Sequence, residues 1–174
     1  MSVMEPVRSR SKVSAPAVWV VAVFAGLLNS GAVMSEQCPV SSPLVVKDLQ
    51  DGFAGQTGSV WTVGVDCAIS VARQVGEKVS EPFYRARLTA NQQVELRNVL
   101  ERTSLADLPA EVGSGGSPVN ARRVIVGVGP KVSTLTLAPG GDLQAARAEA
   151  GDRPSGRLLE LAQTVMSFHT ESPN

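Results

Sequence analysis

The sequence has few of the residues from which active sites are built. Its 174 residues include one histidine, His169, and two cysteines, Cys38 and Cys67. A Ser-His-Asp triad or a general base needs a positioned histidine, whereas His169 stands where we expect a solvated tail. Two cysteines and one histidine also make too few ligands for a zinc site. The sequence therefore predicts a protein that is not an enzyme and holds no metal or cofactor.

Aromatic residues and net charge are scarce as well. Phe, Trp and Tyr make up 4% of the chain, and the formal net charge at pH 7 is zero. Proteins that bind nucleic acid use basic patches for the phosphates and aromatic side chains for stacking on bases. This composition disfavours a nucleic-acid partner.

The N-terminal apolar run is shorter than a membrane span. It covers residues 13–28 and follows the basic residues Arg8, Arg10 and Lys12, and the small residues of "NSGAVMS" come after it. This order is typical of a secretory signal peptide, whereas a spanning helix needs about 20 apolar residues. We predict that residues 1–35 are a signal peptide, which contacts the membrane only transiently.

Two alternatives to cleavage remain open, an uncleaved membrane anchor and a lipoprotein. Cys38 follows the apolar run, as a lipid-modified cysteine would, but Gln37 stands where lipoprotein signals carry a small residue. The cleaved product would be secreted or periplasmic. In such an oxidising compartment, an even number of cysteines permits a Cys38–Cys67 disulfide. Two free thiols are the alternative, and the spacing alone does not decide between them.

The rest of the chain divides into a linker, one domain and a tail. Residues 36–43, "EQCPVSSP", are polar and contain two prolines, which is typical of a linker. Residues 44–169 carry the periodic patterns of a single domain. Residues 170–174 are predicted to be a disordered tail.

Periodic patterns within the domain predict strands, a helix, a hairpin and a second helix. Alternation of apolar and polar residues predicts strands at 44–50, 59–65, 69–75, 81–88, 122–128 and 131–137. Helical spacing predicts helices at 90–103, with Thr89 and Gln92 as a capping box, and at 157–168. Residues 138–156 are rich in Ala, Gly and Pro, and we expect them to be mobile and at most weakly helical.

This order of elements predicts an α+β fold. No long crossover joins neighbouring strands, so the sheet should be mostly antiparallel. We expect four to six strands, with two helices packed on one face of the sheet.

Two glycine-rich loops are the candidate partner-binding elements. They span 51–58 and 113–120, and the candidate residues are Gly52, Phe53, Ala54, Gly55, Gly113, Ser114, Gly115 and Gly116. A loop that a rigid sheet holds at both ends loses little entropy on binding. A simpler interpretation, compatible with the first, is that Phe53 anchors a tight turn before a hairpin.

Four arginines offer a second candidate surface. They are Arg85, Arg87, Arg122 and Arg123. Across neighbouring strands they would form a binding patch; the alternative is an exposed sheet face whose charges are screened by solvent.

Three stretches follow one another in an order found in a known family. They are Gly52-Phe53-Ala54-Gly55, the helix residues Leu88, Thr89, Leu96, Val99 and Leu100, and Asp107-Leu108-Pro109. Over roughly residues 48–168 the chain resembles the emfourin family, proteinaceous inhibitors of thermolysin-like metallopeptidases, and related bacterial domains. It differs from that pattern in Asp51, where the family has glycine, and in a long insert at 140–151.

The predicted signal peptide indicates an exported protein, and the resemblance implies a binding protein that blocks the cleft of a secreted thermolysin-like metallopeptidase. The alternative function is a structural or assembly module of the cell envelope with no peptidase target.

Overall fold

The computed structural model of the chain describes residues 37–53, 55–113 and 119–169. All of them belong to one unit, Ser35–Asn174. The predicted signal peptide, the predicted tail, and the loop residues Ala54, Ser114, Gly115 and Gly116 lie outside the described residues. Within the described part of the chain, no helix is both long enough and apolar enough to cross a membrane.

Eight strands of the described residues form one sheet. They are β1 (Leu44–Gln50), β2 (Thr57–Val63), β3 (Ala68–Val75), β4 (Lys78–Val79), β5 (Tyr84–Arg87), β6 (Glu111–Val112), β7 (Arg122–Val128) and β8 (Lys131–Leu137). Their order is β4-β3-β2-β1-β7-β8-β6, and β5 also pairs with β3. The β6–β8 pair is parallel and the other pairs are antiparallel.

The structure confirms the α+β fold and corrects the number of strands. The six strands expected from alternation are present. The two additional ones, β4 and β6, have two residues each. An alternating pattern cannot be recognised in so short a segment, so four to six strands was too low.

Alternation along the paired strands sends one set of side chains towards the helices. This set is fully buried and forms the sheet side of the core: Leu44, Val46, Val63, Ile69, Val124 and Val126. Because each strand is in continuous register with its neighbour, a shift of one residue would turn this whole set to the other face. The apolar pattern therefore fixes the register.

Helix α1 (Ala90–Thr103) has the predicted bounds and the predicted cap. The Gln92 N–H donates to Thr89 Oγ1 at 3.3 Å, and the Thr89 N–H donates to Gln92 Oε1 at 3.0 Å. These two bonds satisfy N–H groups that a helix start leaves without partners. Leu96 and Val99 are fully buried on one stripe of the helix, as their spacing predicts.

The prediction of two helices is wrong, because the described residues form three. Helix α3 (Pro154–Ser167) is the expected C-terminal helix, and α2 (Leu143–Ala150) lies in the segment predicted to be mobile. The Asp142 carboxylate accepts bonds from the N–H groups of Gln144 and Ala145, at 2.7 and 2.9 Å. This cap and the high helix propensity of alanine stabilise α2 despite the flanking glycines.

A disulfide joins Cys38 to Cys67 across a separation of 29 residues. Cys67 lies in the hairpin between β2 and β3. The residues predicted as a linker have no helix or strand where they are described, but Val40 among them is buried in the core. The segment before β1 is thus held to the domain both covalently and by apolar packing.

Candidate protein-binding site

The described ends of the two glycine-rich loops lie close together at one end of the sheet. Gln50, the last residue of β1, pairs with Arg122, the first residue of β7. Just beyond that pair, the Asp51 N–H donates to the Ala121 carbonyl at 2.8 Å. The Gln50 side-chain amide also donates to the Asn120 carbonyl. The first loop is therefore hydrogen-bonded directly to the end of the second.

The second loop also begins at this end of the sheet. β6 runs parallel to β8 with Val112 opposite Leu135, so Gly113 leaves β6 where β8 ends. Leu137 at the end of β8 pairs with Arg122. We call the described residues 51–53, 55, 56, 113 and 119–121 the loop end. It unites the two stretches that the sequence picks out separately.

A tight turn forms the tip of the first loop. The Gly55 N–H donates to the Gly52 carbonyl at 3.0 Å, so the chain turns back between these two glycines, and Phe53 directly follows the first of them. Gly55 has a φ of 87°, which a residue with a side chain adopts only under strain. The Phe53 side chain is fully exposed, at 114% of its reference area. The turn thus presents an aromatic ring to solvent.

Polar contacts fix both sides of this turn at its base. The Asp51 carboxylate accepts hydrogen bonds from Arg123 Nε at 3.0 Å and from Gln56 Nε2 at 3.1 Å. The Gly76 N–H donates to the Gln56 carbonyl at 2.7 Å. The first loop is therefore joined to β7 and to the turn after β3. Asp51, the departure from the family pattern, is the centre of this network.

A second ion pair lies beside the loop end. Asp48 on β1 accepts two hydrogen bonds from Arg122 on β7, at 2.8 and 2.6 Å, and Arg122 also donates to the Gly141 carbonyl at 2.6 Å. The hydrogen bond with Asp48 raises the pKa of Arg122 above its usual value, against the opposing effect of burial. Arg122 therefore keeps its charge and ties β1, β7 and the chain before α2 together.

Gly58 in the first loop region has a structural role. A Cβ at this position would lie 2.0 Å from the Asp48 carbonyl oxygen. Such a distance is a hard clash with the backbone of β1, so β1 and β2 approach each other here only because residue 58 has no side chain.

The predicted cluster of four arginines does not form. Arg122 and Arg123 are successive residues of one strand, so their side chains leave opposite faces. Arg85 lies on β5 and pairs with Glu81 at 3.5 Å. β5 is four strand spacings from β7, or about 19 Å. Arg87 lies on β5 as well. The prediction of a shared patch was wrong because sequence order does not reveal strand order.

A wide cleft of about 1150 Å³ opens between α2 and α3. Its lining carries charges of both signs, and Glu160 in it pairs with Arg102 at 2.8 Å and with Arg147 at 3.3 Å. Acidic side chains outnumber basic ones in the lining, but in the described part of the chain no three of them are grouped as a metal site.

His169 does not lie in a solvated tail, and that expectation was wrong. It is half-buried, and its ring centroid lies 4.6 Å from that of Tyr84 in an edge-to-face contact. In the described part of the chain, no three His, Cys, Asp or Glu side chains are grouped so that they could hold a metal ion.

The residues that carry the family resemblance divide into two groups in the structure. Those of the helix stretch serve the fold: Thr89 caps α1, and Leu88, Leu96, Val99 and Leu108 are buried in the core. The Gly52–Gly55 stretch lies at the surface. In comparisons with models of known protein families and with curated proteins, no match to this chain is found. The resemblance to emfourins therefore stays a prediction.

Sequence reasoning missed the residues that hold the loop end together. The Asp48–Arg122 pair spans 74 positions and the Asp51–Arg123 pair spans 72. Two aspartates three apart and two adjacent arginines carry no local signal of their pairing. The signal appears only when β1 is known to pair with β7.

Proposed function

We propose that this chain is an exported, non-enzymatic binding protein that inhibits a secreted thermolysin-like metallopeptidase. The loop end enters the peptidase cleft and blocks it. The observation that carries the proposal is the hydrogen bond from the Asp51 N–H to the Ala121 carbonyl, which joins the start of the first loop to the residue that follows the second loop. The resemblance to emfourins supports the choice of target.

The loop end suits this task because its shape is set before binding. The first loop is fixed at Asp51 and at Gln56 by three hydrogen bonds to β7, to its own side chains and to the turn after β3. Less conformational entropy is lost when such a loop binds than when a flexible loop binds.

Both loops are needed for a stable complex. A specific protein interface buries about 800 Å² on each partner, which is more than one short turn offers. Two adjacent loops at one end of the sheet provide a larger contact surface, and loops can enter a concave partner such as an enzyme cleft.

A titration tests the proposed function. The full chain, including its N-terminal segment, is expressed in a host that exports proteins. The product is purified under oxidising conditions, whether or not the host has cleaved that segment. It is then added to several thermolysin-like peptidases, including one from the source organism, while they cleave a peptide substrate. We expect a stoichiometric loss of activity.

Two controls make the result decisive. Mass spectrometry after incubation shows whether the chain stays intact, because a good substrate also competes with the reporter peptide. A serine peptidase assayed in parallel shows whether the loss is specific. No inhibition at micromolar excess of the chain would overturn the proposal and favour the envelope module instead.

A further inference from the structure

We propose that Phe53 is the anchor of the loop end and fills an apolar pocket of the partner protein. The proposal rests on the proposed function of the loop end. It goes further by naming the residue that dominates binding and by stating that the partner's pocket is apolar. It is carried by the exposure of Phe53, by the constraints on its turn, and by the compensated charges around it.

The exposure of Phe53 has no explanation in the fold. Its side chain is completely exposed, whereas the phenylalanine of the C-terminal segment, Phe168, is buried in the core. An aromatic ring gains free energy when it leaves water, and aromatic residues are enriched among those that dominate protein interfaces. A ring held out in solvent is therefore available for burial by a partner.

The base of the turn is fixed, and Phe53 in the turn is accessible. The Gly55-to-Gly52 hydrogen bond closes the turn, and Asp51 and Gln56 fix its base. Gly52 has no conformational need to be glycine, because its φ is not positive and an added Cβ would meet only one atom beyond its chain neighbours, at 3.7 Å. The fold therefore requires neither the exposed ring of residue 53 nor the glycine at residue 52.

The surroundings of Phe53 indicate an apolar pocket. Val119 on the second loop is 83% exposed, which adds a second apolar side chain to the loop end. The charged groups at the base of the first loop, Asp51 of the loop and Arg123 of β7, pair with each other at 3.0 Å. A membrane-binding surface combines apolar residues with several unpaired basic ones, which this end does not offer. The pocket of a folded protein is the better match.

The test compares the inhibition constants of three variants with that of the wild-type chain. Phe53→Ala removes the ring and Phe53→Leu keeps part of the apolar volume. Phe83→Ala is the matched control, because Phe83 is also an exposed phenylalanine, at 56%, and its N–H is bonded to Val71 in the middle of β3. Thermal unfolding of each variant checks that the fold is intact.

We expect Phe53→Ala to weaken inhibition at least about 30-fold, as for a dominant interface residue. Phe53→Leu should lose less than tenfold, and Phe83→Ala should stay within about threefold of the wild-type chain. Phe53→Ala should unfold at the wild-type temperature, because the ring makes no contribution to the core.

The possible failures are distinguishable. If the wild-type chain inhibits and the inhibition constant of Phe53→Ala lies within threefold of the wild-type value, Phe53 is not the anchor. The proposed function then still stands. Equal losses for Phe53→Ala and Phe83→Ala would also overturn the anchor, because both rings would then belong to one general apolar surface. If the wild-type chain inhibits none of the peptidases, both proposals fall.

A sedimentation experiment tests whether Phe53 inserts into a lipid membrane rather than a protein pocket. The wild-type chain and Phe53→Ala are mixed with vesicles of phosphatidylcholine and phosphatidylglycerol. We expect neither to sediment with the vesicles. Sedimentation that depends on Phe53 would overturn a protein pocket as the partner of this ring.

Discussion

The two ends of the sheet are closed in different ways. At one end the Cys38–Cys67 disulfide and the buried Val40 hold the chain before β1 against the core. At the loop end, backbone hydrogen bonds and the Asp51–Arg123 pair hold the loops, and Phe53 stays outside. At the first end, the apolar and covalent contacts stabilise the fold. At the loop end, the most exposed apolar side chain, Phe53, does not contribute to the core.

The same division separates the residues of the family resemblance. The helix stretch from Leu88 to Leu108 is explained by capping and by core packing. The turn stretch at 52–55 is not explained in this way, because Phe53 is exposed and Gly52 has space for a side chain. A pattern that folding does not require is where a binding role is best sought.

The largest effect on stability is expected at the disulfide end. In the chain-entropy model, the double variant Cys38→Ala/Cys67→Ala should lose about 3–4 kcal/mol in the free energy of unfolding, because the reduced chain has more conformations to lose on folding. Urea unfolding measures this loss. At a temperature where the variant is folded, its inhibition constant should match that of the wild-type chain. A folded variant that no longer inhibits would contradict the claim that the disulfide end serves stability and the loop end serves binding.

A smaller effect is expected for Gly55→Ala at the loop end. The positive φ of residue 55 makes a side chain there unfavourable by about 1–2 kcal/mol. The turn should relax to a different shape, so inhibition should weaken while the core stays intact. Urea unfolding and the peptidase titration measure the two effects together. Unchanged inhibition would show that the shape of this turn does not matter for binding.

The smallest effect on stability is expected for Gly52→Ala. Since an added Cβ has space and the φ is not positive, the free energy of unfolding should change by less than about 0.5 kcal/mol. Inhibition should nevertheless weaken, because residue 52 adjoins the proposed anchor Phe53 and the new methyl group adds volume to the surface that the partner would contact. Equal stability together with equal inhibition would show that the partner does not approach Gly52.

The elements that the sequence predicts well are those defined by local patterns. The bounds of β1, β7, β8 and α1 are confirmed because each has at least seven residues of regular alternation or helical spacing. β4 and β6 were not predicted, because a segment of two residues is too short to show an alternating pattern. α2 was not predicted, because the glycines and prolines around it indicate a loop more strongly than the single cap at Asp142 indicates a helix.

The candidate site was predictable only in part. The glycine content is visible in the sequence, so both loops could be chosen, but the full exposure of Phe53 appears only in the structure. Their adjacency depends on the pairing of β1 with β7 and of β6 with β8, which are contacts between distant parts of the chain. The anchoring of the first loop by Arg123 depends on the same pairing.

The most direct test of the account is amide hydrogen exchange of the chain, alone and with a thermolysin-like peptidase in slight excess. We predict slower exchange in the complex at residues 51–56 and 119–121 and unchanged exchange at residues 64–68, in the hairpin beside the disulfide. Protection confined to that hairpin, or no protection anywhere in the chain, would contradict the claim that the loop end is the binding end.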